Sequence, residues 1–285
     1  MPSLSMSAIT TSTPDLSVDA ADSSRYWFEA RRPFAALLFL LPLLAIYEFG
    51  VLSLGVESVI ARNGADCWMR GWLMQVGMTH HWVLPLLVVG VLITWHVQTG
   101  DRWRCSFETL KGMFGESLLF AILLVTFGQL LNLGFRHYGL ETASIPGDAQ
   151  RQSSVVASRA ISFIGAGVYE EVLFRLAAIP ACFYLLRAIL VPRSLAVATS
   201  VVGTSLLFAL AHYLGGTVDG FAPSQIVNTA WHIADTPALW YSFAFRLLAG
   251  LCFSMLFVLR GFGITVGSHA LYDLLVGVVM QSALS

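Results

Sequence analysis

Long apolar segments succeed one another along most of this chain, at 34–54, 82–97, 116–135, 155–190, 195–213, 240–259 and 262–284. About 20 such residues cross a hydrocarbon core of ~30 Å as a helix. The chain therefore reads as an all-α polytopic membrane protein, a bundle of seven transmembrane helices, or eight if one segment is double. Composition agrees, with 56% hydrophobic and 12% charged residues, about half the charge of an ordinary soluble domain. The segment 155–190 is too long for one simple crossing, since it would extend ~50 Å at about 1.5 Å per residue. Either it overhangs the bilayer or Pro180 breaks it.

The flanks suggest how these segments are arranged. Residues 1–24 are rich in Ser, Thr, Ala and Asp, contain no Lys or Arg, and read as a disordered tail. The apolar run after Arg25, Arg31 and Arg32 is too long for a signal-peptide core and reads as a retained anchor. With seven crossings, Arg25, Arg31, Arg32, Arg102, Arg104, Lys111, Arg187, Arg193 and Arg260 share one side. The positive-inside bias then puts the N-terminus in the cytoplasm. The loop 214–239, with Asp219 and Asp235 and no Lys or Arg, suits the opposite side. Its Trp231 and His232 read as loop residues packing onto the membrane surface. We expect N-terminal transmembrane helices over 25–150 and a functional core over 151–285, with the active site in the C-terminal helices.

Several function classes are disfavoured. A net charge of −1 with Lys111 as the sole lysine offers no polyanion-binding surface, so no nucleic-acid partner is expected. Cys67, Cys105, Cys182 and Cys252 lie far apart without a C-x-x-C pair, which argues against a thiolate site or a disulfide framework. They read as small buried fillers.

The most apolar half of the chain nonetheless holds Glu170, Glu171 and Arg175 within one predicted helix. Ionisable groups at membrane depth are costly and mark function. Two further helices each add a histidine, His212 and His269, the latter followed by Asp273. On a helix, residues three or four apart share a face. Glu171 and Arg175 can therefore pair, which directs Glu170 to another sector as the working carboxylate. Phe208 and His212 share a face, as do His269 and Asp273. A carboxylate in low polarity beside two imidazoles suits a general base that activates water. The competing structural reading is polar glue between helices. His269, counted from Gly261, lies shallower than Glu170 or His212, so convergence requires a helix to overhang, tilt or re-enter. Arg246 reads equally as a partner of Asp273 or Glu171 and as a side chain snorkelling to the interface. Glu48, Gln129 and Asn132 read as helix-packing polar groups.

In order and spacing, Glu-Glu-x-x-x-Arg at 170–175, Phe-x-x-x-His at 208–212 and His-x-x-x-Asp at 269–273 resemble the motifs of the CAAX-protease and bacteriocin-processing (CPBP/Abi) family of intramembrane endopeptidases. The similarity covers about 155–281. It implies that Glu170 activates the attacking water, that His212 and His269 hold that water or a metal, and that Arg175 with Glu171 supports the site. Asp273 stands where many members have Asn. An amide can donate to a developing oxyanion, whereas an ionised carboxylate repels it. Asp273 is left to be protonated, to orient His269 or to serve as a ligand. Glu170, His212 and His269 could hold Zn²⁺ with a position open for water, but a separate base would then be required. A metal-free mechanism is favoured.

These readings lead to an intramembrane endopeptidase in a multi-pass integral membrane protein. Its partners are the lipid bilayer and a protein or peptide substrate with a membrane-associated C-terminal segment. The alternatives are a proton-coupled carrier with Glu170, His212 and His269 as a relay, and a non-catalytic immunity or scaffold protein.

Overall fold

A computed structural model describes residues 25–54, 62–140, 156–214 and 223–280. The tail read over 1–24 and Asp219 lie outside the described residues. The α-helices that position the site are, in order, α1 (Pro33–Ser53), α2 (Gly64–Gln75), α3 (Val83–Thr99), α4 (Phe107–His137), α5 (Val156–Glu171), α6 (Ile179–Ala188), α7 (Arg193–Ala211), α8 (Pro223–Asp235), α9 (Trp240–Arg260) and α10 (Phe262–Leu274). Among the described residues there is no strand. The fold is that of a polytopic helical membrane protein.

Each of the seven expected segments is helical over most of its described residues. Five helical stretches, Pro33–Ser53, Phe107–His137, Arg193–Ala211, Pro237–Arg260 and Phe262–Met280, are long and apolar enough to cross a membrane. The apolar α3 is shorter, at 17 residues. The seventh segment is the composite of α5 and α6, whose middle carries Glu170, Glu171 and Arg175.

Pro180 does not break that composite. A π-helical turn over Val172–Ala178 joins α5 to α6, and Pro180 falls in the first turn of α6. Proline lacks an N–H and crowds the carbonyl four residues earlier. A wider π turn just before it relaxes both conflicts and keeps the helix running. The composite therefore runs through Pro180 as one continuous helical stretch. His212 follows the start of α7 by 19 residues and His269 follows the start of α10 by seven, yet both reach Glu170. By rise alone, the α6–α7 hairpin extends about 18 Å beyond the start of α10. That difference resolves the depth mismatch.

Glycines set the close approaches between α1, α5 and α10. A Cβ at Gly165 would lie 2.0 Å from the Tyr47 ring, and one at Gly50 would lie 2.8 Å from Ile161. α5 therefore runs antiparallel to α1. A Cβ at Gly167 would meet the Ala270 backbone at 2.6 Å, and one at Gly277 would meet Phe163 at 2.1 Å. This makes α5 antiparallel to α10 as well. Extended by one turn, these registers place Glu170 and His269 level with Pro42, the middle of α1.

The cysteines depart from expectation. Cys67, Cys105 and Cys182 are half-buried and Cys252 is exposed, all as free thiols.

Candidate active site

Glu170 and Glu171 end the regular turns of α5, where the backbone opens into the π turn. Neighbours on a helix point about 100° apart, and the two carboxylates have different partners. Glu171 is wholly buried and accepts from Arg175 Nη1 at 3.0 Å. Arg175 also donates through Nη2 to the Gly250 carbonyl of α9 at 3.0 Å. Its guanidinium lies 4.3 Å over the Phe208 ring. The sequence expectation of a Glu171–Arg175 pair is met.

His269 lies on α10 with Nδ1 at 2.7 Å from Glu171 Oε1. A carboxylate accepts, so Nδ1 carries the proton and Nε2 faces Glu170. His212 caps the end of α7 with Nδ1 at 2.8 Å from the Phe208 carbonyl oxygen. The same logic turns its Nε2 inward. Glu170 Oε2 then lies 3.7 Å from His212 Nε2 and 3.8 Å from His269 Nε2. Asp273 Oδ2 is 3.6 Å from His269 Nε2, one turn along α10. All six candidate residues thus meet in one place, on helices far apart in sequence.

Aromatic rings wall the site. Phe253 stacks on His269 at 4.6 Å and 16°, and Phe208 meets His212 edge-on at 4.8 Å. His269 is almost closed off, with 5% of its side chain exposed, against 25% for His212 and 17% for Asp273. The site opens along the His212 and Asp273 edge.

Separations of 3.6–3.8 Å are too long for direct hydrogen bonds. They suit a water held at about 2.8 Å from Glu170 and an imidazole together. A metal fits less well. Ligands on tetrahedral zinc with bonds of ~2.1 Å lie about 3.4 Å apart. Among the described residues no group of three or more His, Cys, Asp or Glu is placed to hold a metal ion. The ligand reading of Glu170, His212 and His269 is therefore not supported.

Residues 152–275 match the family model described as "Type II CAAX prenyl endopeptidase Rce1-like". This segment is Rce1-like. The match agrees with the resemblance read from the three motifs, all of which fall inside it. Comparison with curated proteins and with solved structures found no match. The Rce1-like segment includes α5 to α10 and all six candidate residues, while α1 to α4 precede it.

Other polar residues have neighbours of their own. Arg246 stacks over Tyr213 at 5.1 Å. Trp231 and His232 lie exposed on α8. Sequence reasoning missed Phe253 and the Gly250 carbonyl, because an apolar ring and a backbone oxygen carry no motif. It also missed the partner of Tyr169. The Tyr169 hydroxyl donates to Glu48, although its place directly before Glu170 was a signal.

Proposed function

We infer that the chain is an intramembrane endopeptidase, hydrolysing a peptide bond near the C-terminus or in the membrane-proximal part of a membrane-associated protein. The observation that carries this reading is Glu170 Oε2, set at 3.7 and 3.8 Å from two inward-facing imidazole nitrogens. Glu170 takes a proton from a water in that gap, and the oxygen attacks the substrate carbonyl carbon. Collapse of the tetrahedral intermediate breaks the C–N bond as Glu170 returns the proton to the leaving amine. His212 and His269 hold the water on the Glu170 side, and the Glu171 carboxylate with Arg175 fixes the His269 ring. Asp273 orients His269 from the opposite side. The distribution of basic residues supports a cytoplasmic N-terminus.

The test compares membrane and secreted protein termini by mass spectrometry in cells lacking this protein. The cells are complemented with wild type or Glu170→Gln at matched expression. New C-terminal fragments that depend on Glu170 are expected. Identical termini in both strains, with candidate substrates detectably expressed, would remove the protease reading. Substrate-dependent proton flux in sealed vesicles would then favour a carrier built on the same groups.

A further inference from the structure

A second buried ionisable cluster lies behind Glu170, on the side of α5 away from the histidines. The Tyr169 hydroxyl donates to Glu48 Oε1 in α1. The same oxygen accepts from Arg70 Nη2 of α2 at 2.8 Å. Arg70 Nε reaches Asp66 Oδ1 at 2.6 Å. Asp66 Oδ2 accepts from Arg62 at 2.7 Å and from the Tyr47 hydroxyl at 2.9 Å. Tyr47 meets the Tyr169 ring edge-on at 5.4 Å, and its own ring fills the notch left by Gly165. Two carboxylates and two guanidiniums close a charge-balanced network that ties α2 to the residue beside Glu170. Glu48, Asp66 and Arg70 all lie outside the Rce1-like segment.

We propose that Tyr169 and Glu48 are positioning residues that set the rotation of α5 and so aim Glu170 into the gap between His212 and His269. The proposal rests on the reading of Glu170 as the base. Aim is a real variable at this point, because the regular helix ends at Glu171 and the following residues are π-helical. A roll of about 20° moves a carboxylate ~6 Å from the helix axis by roughly 2 Å. That is more than the displacement of about 1 Å that can cost on the order of 10²-fold in rate. Two side-chain anchors oppose the roll. Arg175 holds Glu171 on one side, and Glu48 holds Tyr169 on the other. A tyrosine hydroxyl on a carboxylate is a charge-assisted bond, and Tyr169→Phe removes it while leaving Glu48 paired with Arg70.

The test uses the full chain in lipid nanodiscs with a fluorogenic farnesylated peptide ending in the CAAX pattern. Tyr169→Phe and Glu48→Gln are expected to lower kcat by roughly 10- to 100-fold, with KM within about twofold. The double variant is expected to be no slower than the worse single one. A substrate-independent readout accompanies it. Glu170→Cys with His212→Cys, in a chain whose four native cysteines are serine, is crosslinked with dibromobimane. The fluorescent yield is expected to fall severalfold when Tyr169→Phe is added. Unchanged kcat, a change confined to KM, or an unchanged crosslink yield would overturn the proposal. If the parent protein leaves the peptide uncut, the crosslink still decides the positioning role, while the protease reading fails for that substrate class.

Discussion

Glu171 Oε1 accepts from His269 Nδ1 at 2.7 Å and from Arg175 Nη1 at 3.0 Å, so one buried oxygen fixes both an imidazole and a guanidinium. The neighbouring carboxylate of Glu170 instead faces two Nε2 atoms across gaps of 3.7 and 3.8 Å. Adjacent glutamates therefore do different work, and their substitutions should separate.

Glu171→Gln leaves the Arg175 guanidinium buried without its counter-charge. Breaking a buried pair from one side costs about 3–5 kcal/mol. The expected outcome is a large drop in the midpoint of thermal unfolding in detergent, with poor recovery of folded protein. Arg175→Ala should behave alike, since it also strips the cover from Phe208. A midpoint equal to wild type in both variants would show that the pair does not hold the fold.

Glu170→Gln should have the opposite signature. The amide keeps the shape but cannot take a proton, so cleavage should fall by roughly 10²- to 10⁴-fold. Unfolding should stay near the wild-type midpoint, because a neutral amide of the same shape is less costly to bury than the carboxylate. Measuring rate and midpoint on the same preparation checks both halves.

Much of this site was legible because helical spacing is a strong local rule. Four residues separate Glu171 from Arg175, Phe208 from His212 and His269 from Asp273, and each pair shares a face. What spacing cannot supply is the contact between helices. Nothing local in α1 or α5 says that Glu48 meets Tyr169, 121 residues away. The effect of Pro180 was equally hidden. Proline predicts trouble in an α-helix, but whether the backbone breaks or widens into a π turn depends on packing around Arg175. The cysteines misled for a different reason, since the burial habit of a residue type does not fix the place of one residue: three are half-buried and Cys252 is exposed.

Cys105 gives a pH-dependent reading outside the spans. Burial, followed by the Glu29 carboxylate, pushes its thiol up to about 11. Both causes disfavour the thiolate, so the protonated form persists well above neutral pH. Alkylation by N-ethylmaleimide should be slow at pH 8 and rise about tenfold per pH unit until near pH 11, as thiolate chemistry requires. Glu29→Gln removes one cause and should speed labelling at a fixed pH. Peptide-level mass spectrometry separates this residue from the other three cysteines. Fast labelling at pH 7 would contradict the assigned surroundings.

Gly167 offers the sharpest test of how α5 and α10 are placed. A Cβ there would lie 2.6 Å from the Cα, Cβ and backbone nitrogen of Ala270, next to His269. Backbone cannot rotate out of the way as a side chain can, so the two helices must separate. Overpacking of this kind costs about 1–3 kcal/mol. The larger effect should fall on activity, because separation widens the gap between Glu170 on α5 and His269 on α10. Gly115 supplies the control, since a Cβ there meets nothing within 4 Å. Within an exposed stretch of α4, Gly115→Ala should be neutral or stabilising by up to about 1 kcal/mol. Thermal midpoints and cleavage rates of the two variants, measured side by side, should therefore diverge. Equal behaviour would mean that α5 and α10 do not approach at Gly167.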